Sequence, residues 1–490
     1  MNLHDASALK VDSAISQWPD TDALYRRFDA LVQQPIRPIR RDAMAKVLAY
    51  FETRCQGSKR LSERAKQVIP GGVQHNLAFN HPFPLAIQEA HGAHMTDVDG
   101  NRYIDFLQAG GPTLLGSNHP VVLAQVKALL DQCAPTTGLL HEYEVKLAEL
   151  VCQVMPAVDM LRMMGSGTEA VMGAIRLARA YTGKKRVIKI GGGYHGWSDQ
   201  MVYGMRLPNT GRMEAIGIPH GATATTQESL PNDLAAIRRK LQWNRLRGGT
   251  AAVIVEPFGP ESGTRPVTRT FNAELRKLCD EFDALLIFDE VVTGFRAGMG
   301  GAQAYFGVKP DLTVLGKCLT GGYPMAGAIG GRRDVMMMLV GGIGTTSKRA
   351  FVGGTLTANP LSCAAGYFAL QEMQRTDAAV KAGQAGDRLR KGLEQIIERL
   401  DLPYVAYNMG SIVHLQTSGV MLLDTSNLLK LARVKNEAKQ RRHMMEEMGA
   451  AYTAHGVITL AGSRIYTSLA DTDEVIDDAL NRFEDVLKLA

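Results

Sequence analysis

Three short stretches carry residue types that chemistry needs. The first is Met163-Met164-Gly165-Ser166-Gly167-Thr168-Glu169-Ala170, where two glycines and two hydroxyls open a helical pattern. Glycine lets backbone N–H groups approach a ligand, and a helix start offers free N–H donors and the positive end of the dipole. An anion, above all a phosphate, is favoured there. The loop matches neither the P-loop nor the dinucleotide fingerprint. Taken alone, a hydroxyl at a helix start also serves as an ordinary cap.

The second stretch is Ile287-Phe288-Asp289-Glu290-Val291. An acid directly behind apolar strand residues is poorly solvated and needs a cationic partner. A protonated ring nitrogen is one such partner; an arginine or a helix cap would serve as well. The third is Leu312-Thr313-Val314-Leu315-Gly316-Lys317-Cys318. A lysine desolvated at a strand end holds more neutral amine, ready to condense with a carbonyl. A solvated lysine in the same place is the plain alternative.

These groups need a scaffold that collects them. Short apolar runs recur at Val187 to Ile190, Ala251 to Val255, Ala284 to Phe288, Leu312 to Leu315 and Ala326 to Ile329. They do not alternate, which suits strands covered on both faces. A helical run with Ala170, Val171, Ala174, Ile175, Leu177 and Ala178 follows Gly167. An α/β fold with a mostly parallel central sheet is expected. In such sheets ligands sit at the carboxyl ends of strands. Gly165–Thr168, Glu256, Asp289 and Lys317 all fall at such ends.

Outside this region the expected divisions are a helical extension over 1–55, an N-terminal segment of a small domain over 56–110, the large domain over 111–374, and a C-terminal small domain over 375–490. Leu24, Phe28, Leu31 and Val32 share one helical face, and Pro35 ends that run. A hairpin is expected around Asp99-Gly100. A charged helix is expected over roughly 380–400. Strands are expected at Ser411 to Leu415, Val457 to Leu460 and Ile465 to Leu469, and a closing helix near Asp471.

Composition narrows the function. The chain has 490 residues, 45% of them hydrophobic, and a formal net charge of +6. That mild, mixed charge gives no basic stripe for nucleic acid or a membrane surface. Arg37-Pro38-Ile39-Arg40-Arg41 reads as a solvated connector. The six cysteines are scattered, without Cys-x-x-Cys or metal-ligand spacing, and fit a reducing compartment. With no apolar run near a membrane span and no secretory leader, the expected location is the cytoplasm.

The motifs MMGSGTEA, GGYHGW, VIVEP, IFDEVVTGFR, PDLTVLGK and GGTLTANP occur in this order. With them the chain resembles the class III aminotransferases of pyridoxal 5′-phosphate (PLP) fold type I, over roughly residues 60–488. It looks nearest to the glutamate-1-semialdehyde 2,1-aminomutase-like branch. The resemblance implies that Lys317 carries the cofactor as a Schiff base and shuttles the proton. It implies that Asp289 meets the pyridine nitrogen, that Val291 and Tyr194 flank the ring, and that Ser166, Gly167 and Thr168 bind the phosphate. Thr355 would reach the same phosphate from a second subunit, which implies a homodimer with shared sites. Glu256 would lie near the cofactor, and His195 would support the Tyr194 loop.

Several positions depart from that branch. The arginine expected after Pro70-Gly71-Gly72-Val73 is missing from Gln74-His75-Asn76-Leu77-Ala78-Phe79. Ala109-Gly110-Gly111 lacks an expected aromatic, Glu261 replaces an asparagine, and Ala461-Gly462-Ser463-Arg464 lacks a glutamate. These changes speak against glutamate-1-semialdehyde as substrate and point to an enlarged pocket. Arg464 offers a replacement carboxylate anchor, since its planar fork suits bidentate binding; a surface arginine is the alternative. The expected activity is an aminotransferase acting on small amino and carbonyl substrates. An aminomutase, an epimerase and a non-catalytic PLP-binding protein are the rivals.

Overall fold

The computed structural model describes residues 14–133, 138–211, 215–341, 349–423, 425 and 428–490. The first thirteen residues of the expected N-terminal extension lie outside that set. Strands β1 (Ile87–His91), β2 (His94–Asp97) and β3 (Arg102–Asp105) form an antiparallel meander. The Asp-Gly hairpin is therefore present, with one further strand in front of it. Asp97 fixes the turn: its Oδ1 accepts from Asp99 N at 3.0 Å and from Asn101 N at 2.8 Å.

The centre is a seven-stranded sheet: β4 (Met160–Met164), β5 (Arg186–Ile190), β6 (Thr226–Ser229), β7 (Thr250–Val255), β8 (Leu285–Asp289), β9 (Leu312–Leu315) and β10 (Gly327–Gly331). Their spatial order is β4-β10-β9-β8-β7-β5-β6. Neighbours from β9 to β6 run parallel, and β10 alone runs against both β4 and β9. Every residue of β7, β8 and β9 is buried, which explains their lack of alternation. β4 and β6 have partly exposed, mixed sequences and gave no strand signal.

The C-terminal part holds β11 (Val405–Met409), β12 (Ile412–Gln416), β13 (Val457–Ile458) and β14 (Arg464–Tyr466). β11, β12 and β14 form one antiparallel sheet. β13 instead pairs in parallel with β3, so chain ends far apart in sequence share a sheet. The charged helix spans Ala378–Arg399, and the closing helix spans Asp473–Leu487 with Thr472 as its cap.

The extension is helical, over Thr21–Gln33 and Arg41–Arg54, and it packs on the body of the same chain. Leu24, Phe28 and Leu31 are buried, as the helical face requires. Arg41, in the connector, pairs with Glu447 at 2.8 Å. None of the six cysteines forms a disulfide. Among the described residues no helix is long and apolar enough to cross a membrane, and no His/Cys/Asp/Glu group could hold a metal ion.

Candidate active site

The site forms where β4, β7, β8 and β9 end. Ser166 caps the Gly167–Thr182 helix, its Oγ accepting from Glu169 N at 3.2 Å. The N–H groups of Gly167 and Thr168 open the helix and have no intrahelical acceptor. Glycines line this corner because side chains would block it. A Cβ at Gly167 would stand 3.0 Å from a Val291 methyl, and one at Gly316 would stand 3.0 Å from the other. A Cβ at Gly196 would come within 2.5 Å of Thr168 Oγ1. The result is a narrow, donor-lined cradle beside Val291.

Asp289 ends β8 and is 5% exposed. Its Oδ2 lies 2.7 Å from His195 Nδ1, and its Oδ1 accepts from Val291 N at 3.1 Å. Nδ1 is thus the ring nitrogen that His195 turns to the carboxyl. Further lone pairs on Asp289 remain for a cationic donor. Among the described residues, His195 Nε2 is buried without a hydrogen-bond partner. His195 thus bears on Asp289 itself. The backbone of Tyr194 is held elsewhere, by Glu256 Oε1 at 3.0 Å.

Glu256 follows β7 and is 5% exposed. It collects four donors. Tyr194 N and Glu261 N, at 3.0 and 2.8 Å, reach Oε1; Ser262 N and Ser262 Oγ, the latter at 2.9 Å, reach Oε2. Burial raises the carboxyl's pKa, and the nearby His195 opposes this. One side chain therefore joins the Tyr194 loop to the Glu261 loop. Tyr194 itself is 44% exposed, and the burial of the rest raises its phenol pKa, with Glu261 and Asp289 adding to the rise.

Lys317 stands two residues past β9, half-buried, at φ 43°. A non-glycine residue in this left-handed region is uncommon and marks a position fixed by its surroundings. Among the described residues its Nζ makes no hydrogen bond or ion pair.

Arg464 opens β14. Its side chain is 13% exposed, which removes the surface-arginine reading. Nη2 donates to Glu261 Oε2 at 3.0 Å and to Thr264 Oγ1 at 3.2 Å, and Nη1 reaches Tyr466 Oη at 3.5 Å. Among the described residues, Nε is buried without a hydrogen-bond partner. Arg206 approaches the other Glu261 oxygen at 3.8 Å. The expected gap at Ala109-Gly110-Gly111 is absent at its last position. A Cβ on Gly111 would stand 3.2 Å from the Tyr466 ring, so that ring occupies the room an aromatic there would need.

Thr355 is exposed in the single chain, next to Gly354, where an added Cβ would stand 3.6 Å from Glu169 at the cradle's helix start. Sequence reasoning missed Lys189. It is fully buried within β5, and its Nζ donates to Gly193 O at 2.9 Å and Tyr203 O at 2.8 Å, pinning the loop that carries Tyr194 and His195. Its signal was a lone charge inside an apolar strand, which demands partners.

The glycine-floored cradle, the anchored buried acid and the lysine on one sheet edge fit a planar cofactor carrying a phosphate. Together with the sheet topology they define a PLP enzyme of fold type I. The pattern described as "Aminotransferase class-III" matches residues 77–487. This chain belongs to the class III aminotransferase family, and its cofactor is PLP.

Among its relatives, the glutamate-1-semialdehyde 2,1-aminomutase of Acetivibrio thermocellus is 43% identical over 363 residues, 73% of this chain and 82% of that one. The enzyme of the same name from Chlorobaculum tepidum is 36% identical and covers 86% of this chain and 95% of that one. Among solved structures, an omega-transaminase from Sphaerobacter thermophilus superposes with a TM-score of 0.78 at 28% identity, covering 89% and 98%. A β-phenylalanine aminotransferase from Variovorax paradoxus gives 0.76 at 27% identity, covering 91% and 97%.

Proposed function

We propose that this enzyme moves an amino group on a small substrate whose carboxylate is held by Arg464. One observation carries the reading. Arg464 is a nearly buried guanidinium beside the Tyr194 loop, with Nε unbonded and its only acid partner, among the described residues, the loop residue Glu261. A fork with spare donors in a low-dielectric wall is suited to a carboxylate. No arginine in 74–79 competes for that role.

On this reading Gly167, Thr168 and Ser166 hold the phosphate of PLP, Val291 and Tyr194 flank its ring, and Asp289 meets the ring nitrogen. Thr355, exposed on one chain, meets the phosphate of a second copy in a homodimer. When bound, the cofactor supplies an electron sink for the charge left after proton loss. Lys317 Nζ takes and returns the proton at the amine-bearing carbon, a contribution of about 10²–10⁴-fold. His195 holds Asp289 in its orientation. Glu256 holds Tyr194 and Glu261 in register.

Two reactions share this machinery. An amino shift within one substrate comes first, because the relatives at 36% and 43% identity bear the aminomutase name. Exchange between two substrates comes second, favoured by the Glu261–Arg464 pair: Glu261 can cover Arg464 when a substrate without that carboxylate enters. Supplying glutamate-1-semialdehyde to the PLP-loaded enzyme separates them. A shift returns the isomeric amino ketone with its nitrogen retained. A transferase instead releases one equivalent of carbonyl product from an amino donor alone. If neither appears with a panel of carboxylate donors, the proposal fails.

A further inference from the structure

We infer that the N-terminal extension is a positioning element for substrate recognition: Trp18, Tyr25 and Phe28 fix the loop that sets the Glu261–Arg464 pair. The inference rests on the proposed role of Arg464. The loop between Glu256 and Thr268 is strained where it matters, with Glu261 at φ 45° and Ser262 at φ 49°. Non-glycine residues in that region are strained and persist only where neighbours over-determine them. On the inner side the restraint is Glu256, which accepts from Glu261 N and from Ser262.

On the outer side the restraint comes from the extension. Trp18 Nε1 donates to Val267 O at 2.9 Å, and its ring meets Phe258 edge-on at 5.3 Å. Tyr25 Oη donates to Pro266 O at 3.2 Å. Asn232 shares Pro266 O at 3.2 Å and accepts from Thr268 N at 2.9 Å. Phe28 packs on Tyr407 at 5.3 Å, and Tyr407 Oη donates to Thr264 O at 2.8 Å. Tyr407 also stacks on His414 at 4.8 Å and 8°, and His414 Nε2 lies 3.4 Å from Ser262 O. His414 is buried opposite Arg464 in the β12–β14 register. Between Ser262 and Val267, four backbone carbonyls are thus gripped from outside, two of them directly by the extension. Held this way, Glu261 meets Arg464 at one place only and can yield it to a substrate carboxylate.

The double variant Trp18→Phe/Tyr25→Phe removes both direct bonds and keeps the aromatic packing. Amide hydrogen exchange over 258–268 should quicken by at least tenfold. Binding of glutarate, a dicarboxylate without an amine, should weaken three- to tenfold on the PLP-loaded protein, because a looser Glu261 follows the guanidinium and competes for it. Cofactor affinity should stay within about twofold, which global damage would not allow. In an Arg464→Met background the double variant should cause no further loss of glutarate. If Arg464→Met weakens glutarate but the double variant moves neither glutarate nor exchange, the extension has no positioning role while the Arg464 reading stands. If Arg464→Met leaves glutarate binding unchanged, both fall.

Discussion

Glu256→Gln is the sharpest test of how the site is held. Burial pushes the Glu256 carboxyl up, toward a neutral form that glutamine would imitate. The geometry says the opposite. Tyr194 N, Glu261 N and Ser262 N can only donate, and all three point at the two carboxyl oxygens. An ionised carboxylate accepts them all; an amide has one oxygen. Turned toward Tyr194 and Glu261, that oxygen keeps two bonds. The NH₂ group then faces Ser262, whose hydroxyl can turn to accept but whose N–H cannot. One buried N–H is orphaned, at about 1–3 kcal/mol, and the surviving bonds weaken from charged to neutral strength. Removing the burial cost of the charge offsets part of this. The expected net loss is about 2–3 kcal/mol of stability by denaturant titration. Turnover should also fall, because the Glu261 loop shifts at Ser262 and the bond to Tyr194 weakens. A Glu256→Gln protein as stable and active as the parent would show the carboxyl to be neutral and would refute the clamp.

Four further outcomes are expected. Arg464→Met should raise KM for carboxylate substrates roughly 10–100-fold, the worth of a charged hydrogen bond, with kcat little changed in steady-state assays. Lys317→Ala should lower kcat by at least about 10²-fold, and borohydride should link the cofactor to the parent chain and not to the variant. Gly196→Ala, at φ 83° with Thr168 Oγ1 only 2.5 Å from the new Cβ, should weaken PLP about tenfold in equilibrium dialysis, a cost of about 1.4 kcal/mol. Asp471 is raised from 3.8 to about 7, chiefly by burial and also by Asp105 nearby. Between those values the folded chain holds a proton that the unfolded chain has lost. This contribution to stability is therefore full below pH 3.8 and lost as pH rises through about 7. Asp471→Asn should flatten that slope in melts taken from pH 5 to 8.

The sequence was most legible where burial leaves no choice. β7, β8 and β9 are buried throughout, so their composition announced them and placed Glu256, Asp289 and Lys317 at one edge. The helix start at Ser166 was equally plain, because its cap and glycines are local signals. What stayed hidden depends on distant partners. β4 and β6 carry polar residues that only the sheet's edges explain. β13 pairs with β3 across more than 350 residues, which no local pattern encodes. At Asp289 three partners were weighed, but not His195, because a histidine 94 residues away leaves no trace in spacing. Arg464 and Glu261 were each noticed, yet their contact spans 203 residues and appears only in the fold.

Arg296 sits in the Thr-Gly-Phe-Arg motif behind Asp289 and is fully buried. Its guanidinium donates to Gly111 O, Gln108 Oε1, Ser411 Oγ and Thr467 O at 2.8–3.0 Å, and it lies 4.7 Å over the Tyr466 ring. These partners come from the meander's exit, from the β11–β12 turn and from the end of β14. Swinging the C-terminal sheet away from the central one would strip a charged group of its hydrogen bonds in a dry interior, at about 1.5–3 kcal/mol apiece. A clamshell opening is therefore closed to this molecule. That cost falls on the frame behind the pocket, which these bonds rivet in place.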